Sequence, residues 1–251
     1  MSSSAGDSRV RGLAKAVLPE RVRRTLREQH LTVWPPVGRV RFGSLRRTAP
    51  ISREFGYDRG LPIDRHYIER FLAEHARDVR GVALEFQDDA YLRRFGGDEV
   101  TAVDVLNVEP DYPGTTIAAD IAVADGLPTD RFDCIVCTQV LQLVYDLYGA
   151  VRNLRSMLRP GGVLLATVPT ITRITREPGA WEDHWRMTSA SARRLFGDVF
   201  GPDSVDVQWF GNPLAAIAFL MGLAAEDLKG RELEVRQPEY ELVVCVRAVR
   251  R

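Results

Sequence analysis

The sequence predicts an α/β fold: a mostly parallel sheet with helices on both faces. Apolar runs of strand length recur between residues 82 and 168, and patterns of helical period separate them. Strands and helices that alternate in this way pair in parallel through right-handed crossovers. A chain of 251 residues is long enough for one substantial domain of this class and an appendage.

The first five strands follow one another along the middle of the chain. We predict them at residues 82–86, 100–106, 115–118, 132–138 and 162–168. Helical stripes are predicted at 63–75 and 147–158. The second stripe ends at Arg159-Pro160-Gly161-Gly162, because proline and glycine stop a helix.

Two later segments close the sheet. Residues 205–209 alternate between apolar and polar side chains, and residues 240–249 form the last predicted strand. Between them, Asn212 is placed to cap a helix whose first residue is Pro213. The prediction is therefore a Rossmann-like sheet of seven strands, within a domain that spans residues 49–251.

Residues 1–48 are predicted to form a basic N-terminal helical arm and a linker. Residues 8–48 carry eleven lysines or arginines against two glutamates, although the formal net charge of the whole chain is zero. Val22 and Leu26 lie four residues apart on a short predicted helix, and Pro35-Pro36 indicates the linker. The arm either contacts a polyanion, an anionic membrane surface or a partner, or packs as a solvated helix on the acidic remainder.

Composition argues against several functional classes. A net charge of zero gives no overall field that would attract nucleic acid or a membrane surface. Three cysteines are too few for a disulfide framework and indicate a reducing compartment. Cys134 and Cys137 spell C-x-x-C, but residues three apart on a strand point to opposite faces. We therefore interpret the two thiols as core packing rather than as a redox pair.

Neither a metal site nor a membrane span is predicted. The longest apolar stretch, residues 213–225, is shorter than the roughly 18 residues that a transmembrane helix needs. No secretory signal is visible, so we expect a cytoplasmic protein. The four histidines lack the spacing of metal ligands; they are His30, His66, His75 and His184.

Acidic residues mark the expected ligand site. In a doubly wound sheet, ligands bind outside the carboxyl ends of the strands. Asp104, in the second strand, lies 19 positions after Glu85 in the first, a spacing that suits a bond to ribose hydroxyls. Asp120-Ile121 follows the third strand, where an adenine could rest on Ile121 and donate its amino group to Asp120.

The segment from Asp120 to Pro169 carries a recognisable series of motifs. It contains Leu127-Pro128, Phe132-Asp133, Leu141-Gln142-Leu143 and Leu158-Arg159-Pro160-Gly161-Gly162. This series resembles class I S-adenosylmethionine (SAM)-dependent methyltransferases. The flanking segments 58–67 and 183–188 look like methyltransferase-domain proteins associated with bacterial sugar and polysaccharide biosynthesis. The resemblance implies SAM as the cofactor and methylation of a glycan or small metabolite, with oxygen as the expected acceptor atom.

The first loop departs from the family pattern. The family has a glycine-rich E-x-G-x-G there, whereas this chain has Glu85-Phe86-Gln87-Asp88-Asp89. Side chains at positions 87 and 89 are expected to crowd the methionine part of SAM, because glycine lets a backbone approach its ligand closely. This departure favours an alternative function: a binding or scaffold protein that has kept the fold and lost SAM binding.

The pattern and the resemblance together give a set of candidate site residues. The predicted cofactor-binding residues are Glu85, Gln87, Asp104, Val105, Asp120, Ile121, Thr138 and Gln139. The predicted acceptor-binding residues are Gln142, Tyr145, Trp181 and Arg186.

His184 is the candidate general base. It lies in a segment after the fifth strand that is expected to fold over the mouth of the site, and a histidine suits proton transfer near neutral pH. An alternative is that this histidine only bonds to Glu182 or Asp183. Gln142 stands where many family members have histidine; it can position an acceptor but cannot take a proton.

A nicotinamide-dependent oxidoreductase is the third hypothesis. It would need G-x-G-x-x-G after the first strand, which this chain lacks. Neither Lys15 nor Lys229 has a tyrosine four residues earlier, so the Tyr-x-x-x-Lys pair of short-chain reductases is also missing.

Overall fold

The computed structural model describes residues 35–36, 38–176 and 182–251. The chain divides into two compact units, Met1–Thr48 and Ala49–Arg251. In the described part of the first unit, Gly43–Leu45 forms a 3-10 turn. The helix predicted around Val22 and Leu26 lies outside the described residues, so the role of the basic arm stays a prediction.

In the residues that the structure describes, the second unit contains one sheet and five α-helices. Its strands are β1 (Gly81–Phe86), β2 (Val100–Asn107), β3 (Ile117–Ala118), β4 (Phe132–Thr138), β5 (Leu158–Pro169), β6 (Val205–Phe210) and β7 (Val243–Val249). Its helices are α1 (Ile63–Glu74), α2 (Leu147–Met157), α3 (Ser189–Phe200), α4 (Pro213–Leu220) and α5 (Gly230–Glu234). No helix among the described residues is long and apolar enough to cross a bilayer.

The sheet has the order β3-β2-β1-β4-β5-β7-β6, which confirms the predicted fold class. Strands β1 to β5 pair in parallel, whereas β7 runs antiparallel to both of its neighbours. The chain proceeds outward in one direction from β1 and restarts at β4 in the other. This reversal creates a crevice at the carboxyl ends of β1 and β4, where such sheets bind ligands.

Each face of the sheet packs against its own pair of α-helices. One face buries apolar residues of α2 and α3, and the other buries those of α1 and α4. Cys137 belongs to the first core and Cys134 to the second, so the two thiols point to opposite faces. Both are free and fully buried, and burial raises the pKa of each thiol far above its ordinary value. The core-packing interpretation is confirmed.

The first crossovers are shorter than the predicted alternation implied. Between β1 and β2 the chain makes a π-helical turn, Leu92–Gly96, and a 3-10 turn, Gly97–Glu99. A side chain on Gly96 would meet Val100 Cγ2 at 2.4 Å, and Gly97 has φ of +50°, so a longer helix cannot continue here. None of the residues between β2 and β4 forms an α-helix.

Strand β3 begins at Ile117, two residues later than predicted, and the starts of two other strands differ by more. Strand β5 begins at Leu158, so the Pro-Gly-Gly turn that ends α2 lies inside the strand and shifts its register against β4. Strand β7 begins at Val243, because Tyr240 N–H still closes a turn onto the carbonyl of Gln237. The predicted cap is confirmed: the Asn212 side chain accepts from Ala215 N–H at 3.0 Å, at the start of α4.

Candidate active site

A cavity of about 860 Å³ opens at the carboxyl ends of β1, β2 and β4. One part of the lining, the strand wall, lies at the strand ends and carries four carboxylates besides the buried Glu85: Asp88, Glu109, Asp120 and Asp146. A second part of the lining, the helix wall, comes from α1, the residues before it and the turn after β1. Its members are Tyr57, Leu61, Arg65, Glu69, Tyr91 and Arg94. The volume is within the range of small-molecule and cofactor sites.

Six of the eight predicted cofactor-binding residues line this cavity: Glu85, Gln87, Asp120, Ile121, Thr138 and Gln139. Asp104 and Val105 do not. The Asp104 carboxylate accepts from Arg131 Nη2 at 2.6 Å and Nε at 2.8 Å, and from Thr116 Oγ1 at 2.9 Å. It lies inside β2, three residues before the strand ends, and serves a structural ion pair.

Glu109 is the acid that lines the cavity beyond β2. Asp104 was chosen from its spacing of 19 positions after Glu85, and this spacing does not show where the strand ends. Strand β2 runs to Asn107, and only residues past this point reach the edge of the sheet. An acid soon after the strand end was therefore the signal to follow.

Glu85 holds the first loop together. Its carboxyl oxygens accept from Leu92 N–H at 2.9 Å and from Tyr91 N–H at 3.3 Å. The side chain is only 3% exposed, and burial raises its pKa to about 8 although the two N–H donors oppose that shift. Glu85 therefore anchors the turn that leads into the helix wall.

The loop keeps a glycine-like backbone without glycine. Gln87 has φ of +73°, in the left-handed region that glycine favours, and Gln139 at the end of β4 has φ of +55°. Gln87 Nε2 donates to Tyr112 Oη at 3.1 Å. Such strained residues cluster at functional sites, and both of these line the cavity.

Asp89 does not crowd the site as expected. It is absent from the cavity wall, and its carboxylate pairs with Arg93, the Nη2–Oδ2 distance being 2.6 Å. The hydrogen bond from Arg93 holds the pKa of Asp89 below its ordinary value. The charge at position 89 is thus balanced on the outer side of the turn.

Asp120 and Ile121 occupy adjacent places after β3. Ile121 is 3% exposed and presents apolar surface, while its carbonyl accepts from Asn153 Nδ2 at 2.8 Å. Asp120 Oδ1 accepts from Ala122 N–H at 2.8 Å. Its other carboxylate oxygen has no protein hydrogen bond among the described residues and faces solvent.

The segment 182–188 attaches to the residues after β4. The backbone N–H groups of His184 and Trp185 donate to the carbonyl of Gln142, at 2.8 and 3.2 Å. Trp185 Nε1 donates to the carbonyl of Val144 at 3.1 Å. The His184 ring meets the Tyr145 ring edge-on at a centroid distance of 5.4 Å. The segment therefore lies beside one rim of the cavity.

Of the predicted acceptor residues in the described chain, Tyr145 alone lines the cavity. Gln142 is buried: its amide donates to the carbonyl of Gln139 at 2.8 Å, and its Oε1 has no partner in the described residues. Arg186 is held by Asp183 at 2.5 and 2.7 Å and by the carbonyl of Arg173. Trp181 lies outside the described residues.

His184 is also absent from the cavity wall. Its Nε2 lies 3.9 Å from Glu182 Oε2, so the residue named in the alternative interpretation is close but beyond hydrogen-bond distance. The predicted base thus reaches the cavity only through its contact with Tyr145.

A family model described as a methyltransferase domain matches residues 65–205, more than half of the chain. The chain belongs to this methyltransferase-domain family. Membership confirms the predicted resemblance to SAM-dependent methyltransferases, and with it an enzyme that uses SAM as its cofactor. The association with bacterial sugar and polysaccharide biosynthesis stays a prediction. A search of curated proteins finds no match to this methyltransferase.

Solved structures share its fold at low sequence identity. The [4+2]-cyclase SpnF superposes with a TM-score of 0.50 at 13% identity, over 81% of this chain and 88% of that one. A SAM-dependent methyltransferase from Archaeoglobus fulgidus gives 0.49 at 9% identity, over 73% and 93% of the two chains. The 1,6-didemethyltoxoflavin-N1-methyltransferase of Burkholderia thailandensis, solved with S-adenosylhomocysteine, gives 0.45 at 16%, over 73% and 76%. Likeness at this level concerns the fold alone.

Proposed function

We propose that this enzyme methylates an oxygen atom of a small molecule or glycan within the 860 Å³ cavity. The observation that carries the proposal is the strand wall, where carboxylates follow β1, β2, β3 and β4 at the edge of the sheet. When bound, SAM supplies a methyl group on a positively charged sulfur. A wall of carboxylates favours a cation, so its charge suits this donor.

The residues of the strand wall fit the adenosine part of the donor. Ile121 offers an apolar surface for the adenine, and Asp120 has a free carboxylate oxygen for the adenine amino group. Glu109 takes the role first expected of Asp104, as the carboxylate that accepts hydrogen bonds from the ribose hydroxyls. The left-handed backbone at Gln87 gives the loop the shape that glycine provides in relatives.

Methyl transfer to an oxygen is an in-line displacement, so the main task of the protein is to hold acceptor and donor in line. The acceptor oxygen forms a bond to the methyl carbon as the carbon–sulfur bond breaks, and the hydroxyl proton must leave. We keep His184 as the proposed base for this proton, supported by its contact with Tyr145 on the cavity wall.

A sugar acceptor is supported by exposed aromatic rings at the rim. The side chains of Tyr145 and Trp185 are 74% and 37% exposed, and their ring centroids lie 5.9 Å apart. Aromatic faces of this kind suit the apolar face of a sugar ring.

The scaffold alternative loses the support that came from position 89, whereas the Gln87 side chain still lines the cavity. It rested on crowding by the side chains at positions 87 and 89. Gln87 adopts a glycine-like backbone, and Asp89 points to Arg93 rather than into the cavity.

Isothermal titration calorimetry with SAM and S-adenosylhomocysteine tests the proposal. We expect micromolar binding that Asp120→Asn weakens about tenfold, the loss of roughly one charged hydrogen bond. Asp198→Asn is the matched control, because Asp198 pairs with Arg194 on the exposed face of α3. A folded protein that binds neither ligand at millimolar concentration contradicts the proposal. With binding shown, nucleotide sugars are the first acceptors to screen for methyl transfer.

A further inference from the structure

Arg65 is a cavity-lining cation whose guanidinium has no carboxylate partner in the described part of the chain. It lies in the first turn of α1, and its Nε donates to Tyr57 Oη at 2.9 Å. Its sequence neighbour Asp64 accepts from the Arg65 backbone N–H at 2.8 Å, and no ion pair joins Asp64 to the guanidinium. The other arginine of the helix wall, Arg94, is paired with Glu69 at 2.6 Å.

The position of this guanidinium is fixed by the fold. Helix α1 is anchored by the fully buried side chains of Ile63, Tyr67 and Ile68, which surround Arg65 in sequence. The bond to Tyr57 uses Nε and leaves both terminal nitrogens of Arg65 without a protein hydrogen bond in the described residues. An arginine oriented in this way offers two parallel N–H groups to one planar oxyanion.

The surroundings keep this group charged. Burial disfavours the cation, but the nearby Asp64 carboxylate and the hydroxyls of Tyr91 and Tyr57 outweigh that effect, so the pKa of Arg65 is raised. The folded protein therefore stabilises this cation by itself, and the terminal nitrogens of Arg65 remain available to an anion because only Nε bonds to Tyr57 among the described residues.

We propose that Arg65 forms an oxyanion-binding subsite on the helix wall, which binds a carboxylate or phosphate of a ligand in the cavity. The inference rests on the proposed function, because it places an anionic group of donor or acceptor against Arg65. The carboxylates of the strand wall repel such a group, so an anionic part of the ligand is favoured at Arg65 over the strand ends. Two sources supply the oxyanion: the amino-acid carboxylate of the donor, or an acidic group on the acceptor.

Two ligands that differ by the amino-acid group separate the sources. S-adenosylhomocysteine carries that carboxylate, and 5′-methylthioadenosine lacks it. If the donor supplies the oxyanion, Arg65→Gln lowers the affinity for S-adenosylhomocysteine at least about tenfold in calorimetry, as expected for a lost bidentate ion pair. The affinity for methylthioadenosine then changes by less than about twofold. Arg194→Gln on the exposed face of α3 is the matched control and changes neither affinity.

If the acceptor supplies the oxyanion, Arg65→Gln leaves the affinity for S-adenosylhomocysteine unchanged. Wild-type enzyme saturated with S-adenosylhomocysteine then binds inorganic phosphate or acetate, and Arg65→Gln abolishes that binding. If Arg65→Gln changes the affinity for none of the four ligands (S-adenosylhomocysteine, methylthioadenosine, phosphate and acetate), the proposed subsite is wrong. Failure of wild-type enzyme to bind methylthioadenosine or S-adenosylhomocysteine instead overturns the proposed function.

Tyr57→Phe keeps the charge and removes the bond that orients it. We expect Tyr57→Phe to lower the affinity for the same ligand that Arg65→Gln affects, but only about threefold, which is the lower range for one hydrogen bond. If Arg65→Gln fails to fold by circular dichroism, this variant decides, and unchanged affinities for all four ligands overturn the proposal.

Discussion

The two walls of the cavity differ in how they arise and in what they carry. The strand wall is acidic and comes from residues that directly follow parallel strands, so the topology itself brings Asp88, Glu109 and Asp120 to one edge. The helix wall carries Arg65 and depends on how α1 packs against the sheet. Sheet topology therefore accounts for the strand wall, whereas the helix wall depends on the packing of one helix.

Glu85 links the two walls, and its titration is the largest effect that we expect. Its pKa of about 8 in the folded protein exceeds the ordinary value of 4.5, so the folded state binds the extra proton between those pH values. Stability contributed by the protonated group is therefore full below pH 4.5 and is lost as pH rises to about 8. A shift of this size corresponds to about 5 kcal/mol.

Urea unfolding of wild type and Glu85→Gln at pH 6.5 and 9 measures this loss. The variant cannot titrate at position 85, so its stability is expected to fall less over the interval. The difference between the two proteins cancels the effect of every group that both proteins share. If both proteins lose the same free energy of unfolding between pH 6.5 and 9, Glu85 is already ionised in the folded protein at pH 6.5, and the prediction is wrong.

Glu109 and Asp104 provide the sharpest test of the strand wall, because both are acids of the same segment. Glu109→Gln is expected to weaken S-adenosylhomocysteine by about tenfold or more, since charged hydrogen bonds contribute about 1.5–3 kcal/mol. Asp104→Asn is expected to leave that affinity within twofold and to lower the melting temperature, because it disrupts the bond with Arg131. The reverse pattern, a large loss of affinity with Asp104→Asn alone, would restore the original assignment.

The contrast between walls also explains what could be predicted from sequence. Strand β4 was predicted with its observed ends, Phe132–Thr138, because its mostly apolar run is typical of a buried strand. Asp120 was found because it directly follows a strand. Asp104 was misplaced because spacing does not say where a strand ends or which way a side chain points. Arg65 was missed because only the packing of α1 brings it to the cavity.

The first loop offers the smallest effect and the most local test. Gln87 adopts φ of +73°, which costs a non-glycine residue about 1 kcal/mol, partly offset by the lower entropy of its unfolded state. Gln87→Gly is therefore expected to change stability by about 0.5 kcal/mol or less, and to leave S-adenosylhomocysteine affinity within twofold, since the backbone shape is kept.

Gln237→Gly is the matched control for this substitution. Gln237 lies in a loop, is exposed and lacks a left-handed backbone, so glycine there should destabilise by roughly 0.5–1 kcal/mol through unfolded-state entropy alone. Denaturant midpoints of both variants against wild type give the comparison. If Gln87→Gly loses as much stability as the control, position 87 carries no strain. If Gln87→Gly instead binds S-adenosylhomocysteine more tightly than wild type does, the glutamine side chain obstructs the donor although the backbone of the loop has the shape that glycine provides.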